Sequence, residues 1–165
     1  MSRRPTSPKQ ITSVGDFIVG EPFGEGNYGI IRLGRRKGGE EVVIKELDAT
    51  DGNVMAEVRR EGNIMSRLDH ELVISLYDQV VIGDRVFLVM EYARGGDLLE
   101  KIMAAPSGKL GVEEAQRIFA QLVLATEYMH ERGVVHRYVA ELFHSPSPLD
   151  FAPHQSVVSY EAAET

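Results

Sequence analysis

The chain has 165 residues, 43% hydrophobic and 26% charged, which gives one globular domain with enough apolar material for a core. A formal net charge of −7 argues against sequence-independent nucleic-acid binding, which needs a basic face to displace counterions from phosphates. With no cysteine there is neither a disulfide framework nor a thiolate metal site, and no apolar run reaches the roughly 18 residues of a membrane span, so the chain reads as cytoplasmic, with the nucleus as the other compartment.

Residues 1–14, rich in Ser, Thr, Pro, Arg and Lys, have no apolar period and read as a disordered basic arm, with Thr6 and Ser7 open to phosphorylation. Three β-rich stretches follow, Phe17-Ile18-Val19, Ile30-Ile31-Arg32-Leu33 and Glu41-Val42-Val43-Ile44-Lys45, separated by glycine-rich turns. Asn53 is placed to cap an amphipathic helix over 54–68, in which Val54, Val58, Glu61, Ile64, Met65 and Leu68 recur at helical spacing. Leu72–Tyr77 and Val86–Tyr92 read as two further strands around a turn at Gly83-Asp84. Five strands and one helix predict a small antiparallel lobe over 15–94. A short helix from Asp97 to Met103 ends near Pro106, and a longer one spans Val112–Glu131 with a broad apolar face. Pro146, Pro148 and Pro153 among serines leave no sustained period, so 138–165 reads as a mostly irregular tail.

The stretch Phe23-Gly24-Glu25-Gly26-Asn27-Tyr28-Gly29 has the G-x-G-x-x-G spacing that lets backbone N–H groups approach a polyphosphate. In dinucleotide folds the third glycine opens a helix, whereas β-branched Ile30 and Ile31 follow it here, so the motif is a hairpin flap. A glycine-rich hairpin with no ligand fits that stretch equally well. Lys45, 16 residues after Gly29 at the end of Val-Val-Ile-Lys, falls on the face covered by the flap, where its cation can meet phosphate oxygens; a solvent-exposed strand lysine is the alternative. Glu61 shares its helix face with Ile64, Met65 and Leu68, so its carboxylate needs a partner, and Lys45 is the natural one. Glu57, one turn earlier, competes for that role.

In order, the glycine loop, Val-Val-Ile-Lys, the helix glutamate, Leu68-Asp69-His70, Leu88-Val89-Met90-Glu91-Tyr92, Gly95-Gly96-Asp97 and His136-Arg137 make the chain resemble a serine/threonine protein kinase up to Arg137. Arg59-Arg60-Glu61 and Glu114-Ala115-Gln116-Arg117-Ile118-Phe119 are most similar to the AMP-activated-kinase-related branch of the calcium/calmodulin-kinase group. The resemblance implies an α+β fold, a kinase N-lobe over 15–94 followed by the start of the C-lobe over 95–137. It implies ATP as ligand, with Gly24, Gly26 and Gly29 over the triphosphate and Lys45, held by Glu61, on its α and β groups. Phe23, Ile31 and Val43 would sandwich the adenine, Met90 would be the gatekeeper, and the backbone of Glu91 and Ala93 would bond the adenine edge. Asp97 would reach the ribose or a basic substrate residue. Val43 stands where the family usually has alanine, which crowds the adenine slot and weakens the expected ATP affinity. Gly62 inside the helix costs about 1 kcal/mol relative to alanine.

After Arg137 the family pattern stops. Its His-Arg-Asp-x-x-x-x-Asn supplies a general base and a magnesium ligand, and Tyr138 and Phe143 stand at those positions, with Ala140 where such kinases carry a lysine for the γ-phosphate. Asp150-Phe151-Ala152 resembles the magnesium-binding Asp-Phe-Gly, but the flanking prolines lack the strand that should precede it, so it is discounted. No residue is assigned a catalytic or metal-binding role, and His130, His144 and His154 are given none. So abrupt a change is what an alternative exon, a frameshift or a joined gene model produces. Three readings follow: a kinase-derived, ATP-binding chain that transfers phosphate poorly or not at all; a non-catalytic interaction module that sequesters partners of the full-length kinase; and a mis-joined copy of an active kinase. In each, the 112–131 helix lacks its usual cover, and the expected protein partner is one that covers it.

Overall fold

A computed structural model describes residues 11–26, 29–96, 98–135 and 161–162. Residues 1–10 of the expected basic arm, the loop tip Asn27-Tyr28, Asp97, His136-Arg137 and nearly all of the expected irregular tail lie outside the described residues, while the end of the arm is ordered, with Ser13–Val14 in a strand and Val14 buried. The elements run β1 (Ser13–Val14), β2 (Phe17–Gly26), β3 (Gly29–Arg36), β4 (Glu41–Asp48), α1 (Gly52–Met65), β5 (Leu76–Ile82), β6 (Arg85–Glu91), α2 (Leu98–Ala104), α3 (Val112–Glu131), β7 (Val134–Val135) and β8 (Glu161–Ala162). The first six strands form one antiparallel sheet in the order β1-β2-β3-β4-β6-β5, and β7 pairs with β8. The fold is α+β, as expected, and its main sheet has one strand more than the five expected because Ser13–Val14 turns at Gly15 and pairs back on Ile18 and Phe17.

Two boundaries differ from the sequence expectation. The fourth expected strand, Leu72–Tyr77, forms instead over Leu76–Ile82. The reason is the two-residue turn at Gly83-Asp84, whose Gly83 takes φ +61° and sets Ile82 opposite Arg85, so pairing propagates backwards from the turn. Leu72, Val73 and Ile74 are apolar because they pack into the core as a loop. The helix begins and ends earlier than expected, and Asp51, not Asn53, caps it: Asn53 N donates to Asp51 Oδ1 at 2.8 Å from an extended Asp51. After Met65 the bonds shorten to i→i+3, with Arg67 N on Ile64 O and Leu68 N on Met65 O, so Leu68 is buried beyond the last α-turn.

Strand alternation divides the apolar residues between two cores. Val42, Ile44, Phe87 and Val89 point to one face, where Val14 and Phe17 cover them. The sheet curls until its edges nearly meet: the Arg36 guanidinium lies 5.1 Å from the Phe17 ring on β2 and 5.2 Å from the Tyr77 ring on β5. The other face carries Leu47, Val86, Leu88 and Met90, which pack with Val58 and Met65 of α1 and with Ala125 and Met129 of α3. One apolar cluster therefore joins the sheet, α1 and α3 across the expected 94/95 boundary. Tyr128 reinforces the junction: its hydroxyl accepts from Asp69 N at 2.7 Å and its ring stacks on His70 at 4.5 Å.

Candidate nucleotide site

Antiparallel pairing places Gly24, Ile31, Lys45, Leu88 and Gln79 in one row across five strands, because residues directly opposite share a face. That face is the one α1 covers, so Lys45 points at the helix and its glycine-flanked neighbours. The neighbouring row, Leu33, Val43, Met90 and Leu76, is apolar and runs on the same face. The two rows together make a wall with one cation set in it.

The cation is Lys45, only 4% exposed, and Glu61 Oε1 on α1 lies 3.8 Å from its Nζ. At that length the contact is an ion pair but not a hydrogen bond, and Glu61 Oε1 is buried with no hydrogen-bond partner among the described residues. Burial pulls the lysine below its ordinary value, against the attraction of Glu61 and, more weakly, of Glu57. Burial also pushes Glu61 above the usual carboxylate range, which Lys45 opposes and Glu57 assists. The competing partner Glu57 is exposed and acts only through space. An ammonium with three donors, held in a dry wall beside glycine strands and not fully engaged by its carboxylate, fits an anionic phosphate. Among the described residues no group of three His, Cys, Asp or Glu side chains could hold a metal ion.

Gly24 pairs with Ile31, and Gly26 pairs with Gly29 at the neck of the loop. A Cβ on Gly29 would collide with the Glu46 backbone, so this glycine serves close strand approach as well as the flap. Phe23 is 55% exposed at the outer end of the wall, while Ile31 and Val43 are half-buried. Met90 is buried behind them. Glu91 N donates to Ser75 O at 2.9 Å, so that amide is already engaged, and Ala93 is exposed in the segment that joins β6 to α2. Arg94 reaches back to Glu41 at 3.3 Å and ties that segment to β4.

Two polar groups escaped the sequence reading. Glu46 faces the enclosed side of the sheet, where Arg32 Nε and Arg85 Nη1 each meet one of its oxygens at 2.7 Å. Its position two residues after Ile44 on an alternating strand marks an inward charge that needs a cation. Gln79 reaches α1, donating from Nε2 to Val58 O at 3.2 Å. Simple alternation from Leu76 puts Gln79 away from Lys45's row by one step; the irregularity between Leu76 and Asp78 restores it to the helix face. Gly62 in the helix was the available signal.

A family model described as protein kinase domain matches residues 17–139. CBL-interacting protein kinase 9 of Oryza sativa subsp. japonica is 34% identical over 133 residues, covering 78% of this chain and 29% of the relative. CBL-interacting serine/threonine-protein kinase 3 of Arabidopsis thaliana is 38% identical over 128 residues, covering 75% of this chain and 29% of the relative. The rice CBL-interacting protein kinase 16 is 39% identical over 130 residues, 75% of this chain and 28% of its own length. The chain spans less than a third of the length of these relatives.

Proposed function

This chain belongs to the protein kinase domain family, and we propose that it binds ATP through the wall around Lys45 while transferring phosphate poorly or not at all. The observation that carries the binding half is the buried Lys45 opposite Glu61, a cation set in an apolar, glycine-flanked face. Gly24, Gly26 and Gly29 cover the triphosphate, Lys45 neutralises its inner groups, and Phe23, Ile31 and Val43 hold the adenine against Met90. Glu91 and Ala93 offer backbone carbonyl and N–H groups to the adenine edge. Binding is weak, because Val43 narrows the slot. For Asp97, outside the described residues, the family resemblance implies a role toward the ribose or a basic substrate residue.

The sequence supports the inactive half. Tyr138, Ala140 and Phe143 stand where the family's general base, γ-phosphate lysine and metal-binding asparagine belong. Loss of a general base alone typically costs about 10²–10⁴ in rate. Among the described residues no cluster of His, Cys, Asp or Glu fits a magnesium site. A radiolabelled-phosphate transfer assay with magnesium or manganese, run beside Lys45→Met, tests this. No transfer above the variant's background is expected, and Lys45-dependent transfer would overturn it and return attention to Asp150.

A second reading, a non-catalytic module that sequesters partners of the full-length kinase, draws support from α3. Val112, Val123 and Leu124 are large, apolar and exposed there, at 74%, 48% and 52%. Capture of the full-length kinase's partners by Lys45→Met as efficiently as by the wild-type chain would favour it.

A further inference from the structure

Gly62 is a costly residue to place in a helix, and it lies on the buried stripe of α1 directly after Glu61. What occupies the space of its missing side chain is the amide of Gln79. A Cβ on Gly62 would come within 2.6 Å of Gln79 Cδ and 2.9 Å of its Nε2. The same amide donates to Val58 O, one helical turn before Gly62. Gln79 therefore lies along the Val58–Gly62 stripe like a key in a slot, gripping backbone that no side chain shields.

Position in the sheet gives this contact its consequence. Gln79 and Lys45 stand in the same cross-strand row, with Leu88 between them. One row thus meets α1 at two polar points on consecutive residues, Lys45 at Glu61 and Gln79 at Gly62. The Lys45–Glu61 contact is too long for a hydrogen bond and cannot by itself fix the helix. We propose that Gln79 is a positioning residue: its amide, seated on Gly62 and bonded to Val58, sets the rotation and distance of α1 and so holds Glu61 opposite Lys45. The inference rests on the nucleotide-site reading for its binding arm only.

The test uses the full chain and the variants Gln79→Met, which keeps length but removes the donor, Gln79→Ala, Gly62→Ala, and the double Gln79→Ala/Gly62→Ala. Three readouts are taken: amide exchange over α1, the ¹⁵N resonance of the Lys45 ammonium identified with Lys45→Met, and affinity for the fluorescent nucleotide mant-ATP with magnesium. Gln79→Met should speed exchange and weaken mant-ATP binding, each by about fivefold, the scale of one hydrogen bond. It should also move the Lys45 resonance, although Gln79 does not touch Lys45. Asp51→Ala, which weakens α1 at its cap, should leave that resonance in place; a purely structural role for Gln79 would make the two variants alike. The double variant should be less damaged than the sum of Gln79→Ala and Gly62→Ala, because alanine at 62 then has room. An unmoved Lys45 resonance in Gln79→Met, or strictly additive effects at 62 and 79, would overturn the proposal. If the wild-type chain fails to bind mant-ATP, the nucleotide reading falls, and exchange and resonance still decide the role of Gln79.

Discussion

Lys45 and Glu61 are each driven by burial toward their neutral forms, and their mutual attraction opposes that drive, with Glu57 further opposing it at Lys45 and assisting it at Glu61. A pair in this position adds little to stability, since two charges leave water for a contact of 3.8 Å. Lys45→Met alone or Glu61→Leu alone strands one buried charge and should lower stability by about 3–5 kcal/mol, whereas the double variant should equal or exceed the wild type by about 1–4 kcal/mol. Urea denaturation of the four chains measures this. The pH dependence has a definite sign. Glu61 holds its proton more tightly folded than unfolded, so its contribution is full below the unfolded value of 4.5 and is lost as pH rises through the raised folded value. Lys45 runs the other way: its contribution is full above 10.5 and is lost as pH falls through the lowered folded value. Between pH 4 and neutrality the wild-type chain should therefore lose stability with rising pH relative to Glu61→Gln, as thermal melts across that range would show.

At the scale of elements, α1 is the part whose placement decides whether a site exists. Its start depends on one carboxylate, so Asp51→Ala should cost about 1 kcal/mol, while Asn53→Ala, which keeps the backbone donor, should cost far less; chemical denaturation of both variants checks it. The helix was legible because Val58, Ile64 and Met65 recur at its period, and the strands because Val42-Val43-Ile44-Lys45 and Val86–Met90 are β-branched and apolar. Lys45 facing Glu61 was legible too, from alternation on one element and periodicity on the other. What remained hidden depended on pairing and not on pattern. The strand at Leu76–Ile82 is placed by its turn, Gln79 by an irregularity beside Asp78, and Glu46 by two arginines 14 and 39 residues away in sequence. The capping residue was missed by two positions because Asp51 and Asn53 are both competent caps, and only the extended backbone at Asp51 chooses between them.

Across the whole molecule, the two cores give the sheet a rigidity that the site uses. The enclosed cluster of Val42, Ile44, Phe87 and Val89 fixes β4 from one side, and α1 with α3 holds it from the other, so Lys45 is set by packing on both faces. In the proposed reading the sequence after Arg137 supplies none of the family's catalytic groups, and Gly24, Ile31, Val43, Lys45 and Met90, proposed to meet the nucleotide, share one face of the sheet. Nucleotide binding therefore depends on Lys45. Titration of mant-ATP into the wild-type chain and into Lys45→Met measures it most directly. Saturable one-site binding to the wild type, weakened about tenfold or more by the substitution, is predicted, since a hydrogen bond to a charged group is worth about 1.5 kcal/mol or more. Equal affinity of the two chains, or no saturable binding to the wild type, would contradict it.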